Sequence, residues 1–176
     1  MALILLRHTT PMVAPGTCYG QTDLDVAATF ETEAAKAFVA LPPVHRPAHR
    51  IVTSPLRRCR KLADFISQRS GLPVEDDPRL MEMDFGSWED RPWTTIPKIE
   101  IDMWADDFFH ACPHGGESVS MLSTRVREAL HDWGTRETPT LIVTHAGVIR
   151  AALATGETAD DFNTQIDFGS FVTISQ

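Results

Sequence analysis

A chain of 176 residues, 43% hydrophobic and 23% charged, has the length of one domain and the apolar mass for a sizeable core, which excludes wholesale disorder. Acids outnumber Lys plus Arg by 24 to 16, and the net charge of −8 argues against a general nucleic-acid binder or an anionic-membrane binder. Cys18, Cys59 and Cys112 are too few and too scattered for a disulfide framework or a CxxC metal site, and suit a reducing compartment.

In chain order, the first element is the apolar run Leu3-Ile4-Leu5-Leu6, which reads as a strand buried on both faces. The stretch from Ala2 to Leu6 ends at Arg7, too soon for a signal-peptide core or a membrane span, so the expectation is a cytoplasmic protein. Phe30, Ala34, Ala37, Phe38 and Leu41 then share one helical face. Ile51-Val52-Thr53 predicts a second buried strand, followed by a helix with Leu56, Cys59, Ala63 and Ile66 on its inner side. Ser54 is placed as the N-cap of that helix, Pro55 as its first residue and Gly71 as its stop. Residues 73–113 are acidic, rich in Trp and Pro and irregular, as a lid or substrate-loop excursion within a single 1–176 domain would be. Leu122, Val126, Ala129, Leu130 and Trp133 predict a further helix, and Leu141–Thr144 a third buried strand. Residues 165–175 add one or two strands of undetermined direction. Strands alternating with helices imply an α/β fold with a mostly parallel central sheet.

Ligands of open parallel sheets sit at the carboxyl ends of the strands. Here the first run is followed by Arg7-His8-Thr9, the second by Ser54-Pro55-Leu56-Arg57-Arg58, and the third by His145-Ala146-Gly147. Three strand ends thus deliver two histidines and at least two arginines to one edge. Arginine forks match phosphate oxygens, and helix N-termini add N–H donors. A histidine beside fixed cations stays neutral and nucleophilic at pH 7, which suits attack on a phosphoryl group. A carboxylic acid must then protonate the departing oxygen.

Other chemistries compete for these residues. His45 and His49 are four apart, as are His110 and His114 with Cys112 between them, but Pro47 and Pro113 interrupt both pairs, so the expectation is no metal. The run from Arg46 to Lys61 carries six basic residues and no acid; without aromatic interleaving it reads as surface charge with Arg58 the exception. Taken alone, Glu82 is one of seven acids between Glu75 and Asp90.

Five blocks, in order along the chain, resemble the histidine phosphatase (phosphoglycerate mutase-like) superfamily: Arg7-His8-Thr9; Ser-Pro-Leu-Arg-Arg at 54–58; 80–89 with Glu82-Met83-Asp84-Phe85-Gly86 at its centre; Gly115-Gly116-Glu117-Ser118; and Thr144-His145-Ala146-Gly147-Val148-Ile149-Arg150. The resemblance implies a three-layer α/β/α fold and a phosphomonoesterase that needs no cofactor and acts on a small phosphorylated metabolite. It implies that His8 is the nucleophile that becomes phosphohistidine, that Arg7, Arg58 and His145 hold the phosphoryl oxygens, and that Glu82 is the proton donor. Cys18-Tyr19-Gly20-Gln21-Thr22-Asp23 further resembles the α-ribazole phosphatases, which would set Tyr19, Gly20 and Gln21 on the substrate side. Thr9, Ala14 and Ala146 depart from the family pattern, and the chain lacks room for the inserted segments of the mutases. A mutase-type phosphotransferase and a non-catalytic phosphate-ester binder remain the alternatives, and no oligomeric state follows.

Overall fold

Leu3, Ile4, Leu5 and Leu6 are wholly buried because β1 (Ala2–Arg7) lies inside a five-stranded sheet with helices on both faces. The computed structural model describes residues 2–41, 50–136 and 139–175. The other strands are β2 (Arg50–Thr53), β3 (Val74–Asp76), β4 (Thr140–Thr144) and β5 (Phe171–Ser175), in the spatial order β3-β2-β4-β1-β5. All neighbours run parallel except β5, which pairs antiparallel with β1.

Alternate residues of the central strands feed two separate cores, which explains their unbroken hydrophobicity. Leu3 and Leu5, with Val52 and Ile142, pack against α4 (Val119–Gly134) and α5 (Ala146–Leu153). Ile4 and Leu6, with Ile51, Leu141 and Val143, pack against α1 (Phe30–Ala40) and α2 (Arg57–Ser70). The result is a three-layer α/β/α architecture. Each large aliphatic side chain so buried contributes about 1.5–3 kcal/mol.

One boundary differs from the sequence expectation. α2 starts at Arg57, and Leu56, in extended conformation, occupies the cap position instead of Ser54. The acceptor for the Arg57 N–H comes from another segment, the Asp23 carboxylate at 2.7 Å. The Ser54 hydroxyl accepts from the Leu56 N–H at 3.3 Å, short of the helix, and also lies 2.8 Å from His145 Nε2. Gly71 does end the helix, with the left-handed φ of 74° that favours glycine. Residues 165–175 supply one strand, β5.

Within 73–113 the chain forms β3, single 3-10 turns and α3 (Lys98–Asp106). Trp88 is wholly buried there with Cys18 and Ile96, and its indole N–H donates to Glu100 at 2.6 Å. The basic run is largely neutralised locally: Arg57 pairs with Asp23 and Asp25, Lys61 with Asp25, and Arg60 with Asp64 and Asp76. Arg46, with the His45 and His49 pair, lies outside the described residues. No helix among the described residues is long and apolar enough to cross a membrane.

Candidate active site

The register of the sheet places the two histidines together. Arg7 stands opposite Thr144 and Thr53 opposite Val143, so the next residues, His8, His145 and Ser54, emerge side by side from three adjacent strands. The ladder continues into them: the His8 N–H donates to the Thr144 carbonyl and the Ser54 N–H to the Val143 carbonyl, both at 3.0 Å. The two imidazole rings meet edge to face with centroids 5.1 Å apart.

His8 is oriented by its neighbour. Its Nδ1 lies 2.6 Å from the Thr9 carbonyl, which can only accept, so Nδ1 carries the proton and Nε2 keeps its lone pair. Burial first, then the positive charges of Arg58 and Arg7, hold the His8 pKa well below its ordinary 6.5. His145 is held low by burial, then by Arg58 and His8, and its Nε2 lies 2.8 Å from the Ser54 hydroxyl. Both rings are therefore neutral at pH 7.

A stability consequence follows from the sign of these shifts. Below pH 6.5 the unfolded chain takes up protons on both histidines while the folded chain does not, so stability falls as pH drops. The expected slope is about 1.4 kcal/mol per pH unit for each histidine. Urea unfolding at pH 7.5, 6.5 and 5.5 checks this: a flat profile between 6.5 and 5.5 would contradict neutral, buried imidazoles.

Arg58 is wholly buried, and its guanidinium donates to the carbonyls of Thr22 at 2.8 Å and Gly20 at 2.6 Å. Glu89 fixes that loop by accepting the backbone N–H groups of Gln21, Thr22 and Phe85 and the Thr22 hydroxyl. Burial pushes Glu89 upward, but these donors outweigh it and hold its carboxyl below the usual value. Gly20 is obligatory here, since a Cβ would sit 2.0 Å from the Met83 carbonyl oxygen. The Gln21 amide donates to the Glu82 carbonyl at 3.2 Å. Gly20 and Gln21 thus belong to a frame that positions Arg58 and the Glu82 loop, and only Tyr19 of the three sequence candidates lines the cavity described below.

Arg7 donates to the Ile166 carbonyl and stacks over Phe168, 3.7 Å from the ring centroid. The Nε atoms of Arg7 and Arg58 and the hydroxyl of Thr9 are buried without a hydrogen-bond partner among the described residues. Buried donors at natural sites find partners, so three orphans around one histidine fit a bound oxyanion.

Glu82 reaches the same place from the sheet's other side. Its carboxylate accepts the N–H of Met83 at 2.9 Å and that of Gly147, in the first turn of α5, at 3.1 Å. Arg125 of α4 clamps the loop beneath it, donating to the carbonyls of Arg79, Met81 and Glu82 while pairing with Glu117 at 2.7 Å. Glu117 precedes the helix N-cap, Ser118, and serves this clamp, not the first turn.

A Cβ on Gly147 would approach the Glu82 Oε1 to 2.1 Å, and the carboxylate is the movable party. Gly147→Ala is therefore expected to displace Glu82 with little loss of stability and to lower turnover by about 10-fold to 100-fold, within the range assigned to a general acid. Melting temperature and kcat measured together check it; full activity with an unchanged fold would remove the constraint.

Arg7, His8, Tyr19, Glu82 and Gly147 line a cavity of about 360 Å³. Phe85, Trp93, Trp104, Phe108 and Phe162 supply much of the remaining wall, so Trp93 and Trp104 face it while Trp88 is core. Arg58 and His145 are wholly buried and not part of that wall. Sequence reasoning missed Arg125, Glu89 and Ser54 as positioning groups; the one visible signal was Arg125 beside the apolar stripe at Leu122 and Val126.

His110 is exposed and pairs with Asp107, whereas His114 is buried and its Nδ1 accepts from the Gly116 N–H at 3.1 Å. Cys112 lies 3.9 Å from that nitrogen. Among the described residues no cluster of three or more His, Cys, Asp or Glu side chains could hold a metal ion.

The sequence model of the histidine phosphatase superfamily (branch 1) matches residues 3–174. This chain belongs to that superfamily. Among curated relatives, this histidine phosphatase is 33% identical to a glucosyl-3-phosphoglycerate phosphatase of Mycolicibacterium vanbaalenii over 170 residues, 86% of this chain and 72% of the relative. It is 30% identical to the adenosylcobalamin/α-ribazole phosphatase of Salmonella typhimurium over 115 residues, 62% of this chain and 57% of the relative. The crystal structure of a phosphoglycerate mutase from Thermus thermophilus superposes with a TM-score of 0.77 at 31% identity, covering 99% of this chain and 92% of its own. The fold is accordingly phosphoglycerate mutase-like, and the reaction class of this histidine phosphatase is phosphoric monoester hydrolysis.

Proposed function

We propose that this protein hydrolyses a small phosphorylated metabolite in two steps through phospho-His8, with no metal or cofactor taking part. The observation that carries the reading is the His8 ring itself: Nδ1–H is tied to the Thr9 carbonyl, burial and two arginines keep the ring neutral, and the residue lines the cavity. In the first step Nε2 attacks phosphorus, the bond to the leaving oxygen breaks, and the Glu82 carboxyl gives that oxygen its proton. In the second, the Glu82 carboxylate takes a proton from water, the hydroxide attacks phosphorus and the N–P bond breaks. Phosphate leaves, and His8 and Glu82 return to their starting states. On this reading Arg7 meets the phosphoryl oxygens at the wall, the Arg58 Nε, the Thr9 hydroxyl and His145 complete the pocket from beneath it, and the fixed charge of the two arginines stabilises the charge that develops there.

Such a site needs no Lewis acid, because guanidinium groups supply the positive charge. Turnover of p-nitrophenyl phosphate is expected to survive excess EDTA, and rapid alkaline quench is expected to trap a base-stable phosphoenzyme that subsequent acid treatment destroys. Loss of turnover with chelator, restored by a divalent cation, would refute the metal-free mechanism.

For the physiological substrate, the block Cys18–Asp23 favours α-ribazole 5′-phosphate, and the likeness to the mycobacterial-type relatives favours glucosyl-3-phosphoglycerate. The ratio of kcat/KM for these two esters, with 3-phosphoglycerate as a third, separates the readings. Isomerisation of 3-phosphoglycerate dependent on a bisphosphorylated primer would instead favour the mutase reading.

A further inference from the structure

Arg150, in the last turn of α5, also lines the cavity, and the two-step mechanism gives it no task. Its Nε donates to the Thr164 carbonyl at 3.0 Å, and its two terminal nitrogens make no hydrogen bond among the described residues. No carboxylate among the described residues pairs with it, whereas Arg57, Arg60, Arg79 and Arg125 all have acidic partners. Arg150 also stands close enough to Arg7 to repel it: burial is the main cause of Arg7's lowered pKa, and the charge of Arg150 adds to it. Arg7 and Arg150 line one cavity, with Glu82 the only acid on its wall among the described residues; with Glu82 in its proton-donating form, one positive charge is left over once a phosphate-ester dianion has been matched to Arg7 and Arg58.

Much of the remaining wall is apolar, with Thr17, Tyr19 and Asn163 among its polar members. Phe85, Trp93, Trp104, Phe108 and Phe162 offer ring surface against which a flat or apolar face of the leaving group can pack. An arginine on the wall of such a space matches a planar carboxylate in two-point contact, and a monoanion balances its single charge. Building on the phospho-His8 reading, we propose that Arg150 selects phosphate monoesters whose leaving group joins an apolar or aromatic body to a carboxylate.

The test uses two aryl phosphates that differ only in charge, 4-carboxyphenyl phosphate and its neutral amide, 4-carbamoylphenyl phosphate. The readout is the ratio of their kcat/KM values. The wild-type ratio is expected to exceed about 10, corresponding to one charge-assisted contact. Arg150→Gln, which retains a donor for Thr164, is expected to bring the ratio to about 1, and Arg150→Lys to leave it intermediate. A wild-type ratio near 1 would overturn the proposal. So would a ratio that survives in Arg150→Gln while both rates fall together, since Arg150 would then serve the phosphoryl group or the fold. Failure of the underlying mechanism looks different: neither ester would yield a phosphoenzyme on quenching.

Discussion

Replacing His8 with alanine is expected to lower kcat by about 10⁴-fold or more and to eliminate the trapped phosphoenzyme. The reason is specific to this ring. Among the described residues it is the one imidazole on the cavity wall, and the Thr9 carbonyl leaves its Nε2 lone pair as the available nucleophile. His145 is not on the cavity wall, and its Nε2 already lies against Ser54 and Cys59, so it is not placed to substitute. A neutral ring contributes no charge, so the arginines remain, and affinity for inorganic phosphate is expected to change only a few-fold. Quench-flow with radiolabelled substrate and calorimetric phosphate titration check both halves. A variant that turns over normally, or that still forms an acid-labile phosphoenzyme, would displace His8 from its role.

Glu82→Gln is expected to split substrates by leaving group. An alkyl phosphate needs the proton in the first step, and its turnover is expected to fall by about 10²–10⁴-fold. Nitrophenolate leaves without help, so p-nitrophenyl phosphate still phosphorylates His8, but the amide cannot activate water for the second step. The variant should therefore release a stoichiometric burst of nitrophenolate and accumulate phosphoenzyme. Gln also puts an amino group where the carboxylate accepts from Met83 or Gly147, which moves the side chain slightly but leaves His8 untouched. Equal losses on both substrates without a burst would remove Glu82 from proton transfer.

The parts of this molecule that were legible in advance share one property: their function is written in side chains. Leu3–Leu6, Ile51–Thr53 and Leu141–Thr144 announce buried strands because both faces must be apolar. Arg7, His8, Arg58 and His145 are conspicuous at their ends, and the structure brings all four together. β3 was not legible, since Val74-Glu75-Asp76 is three residues long, two of them acids, and lies on an open edge where burial imposes no pattern. Nor was the insertion of β4 between β1 and β2, because strand order is a property of the whole packing and leaves no local mark. The frame around Arg58 was hidden for another reason. Its acceptors are the carbonyls of Gly20 and Thr22, and a carbonyl is the same in every residue. Gly20 thus meets Arg58 through its carbonyl, whereas Gln21 meets Glu89 through its N–H and the Glu82 carbonyl through its side-chain amide. The cap expectation at Ser54 failed because the hydroxyl had a second suitor, His145, that only the tertiary structure reveals.

The strand that carries His8 also sets the order in which this protein can come into being. β1 is the first strand in the chain, yet its two ladder partners are β4 and β5, from Thr140 to Thr144 and from Phe171 to Ser175. The Arg7 N–H and the His8 carbonyl are held by Ser170 and Gly169, just before β5. During synthesis, then, five consecutive apolar residues must wait unpaired until the segments from Thr140 and from Phe171 have followed them. Such long-range pairing slows folding and leaves a sticky segment exposed meanwhile. It also means that no partly made chain can hold the nucleophile in place, so phosphatase activity arrives all at once, with the last strand.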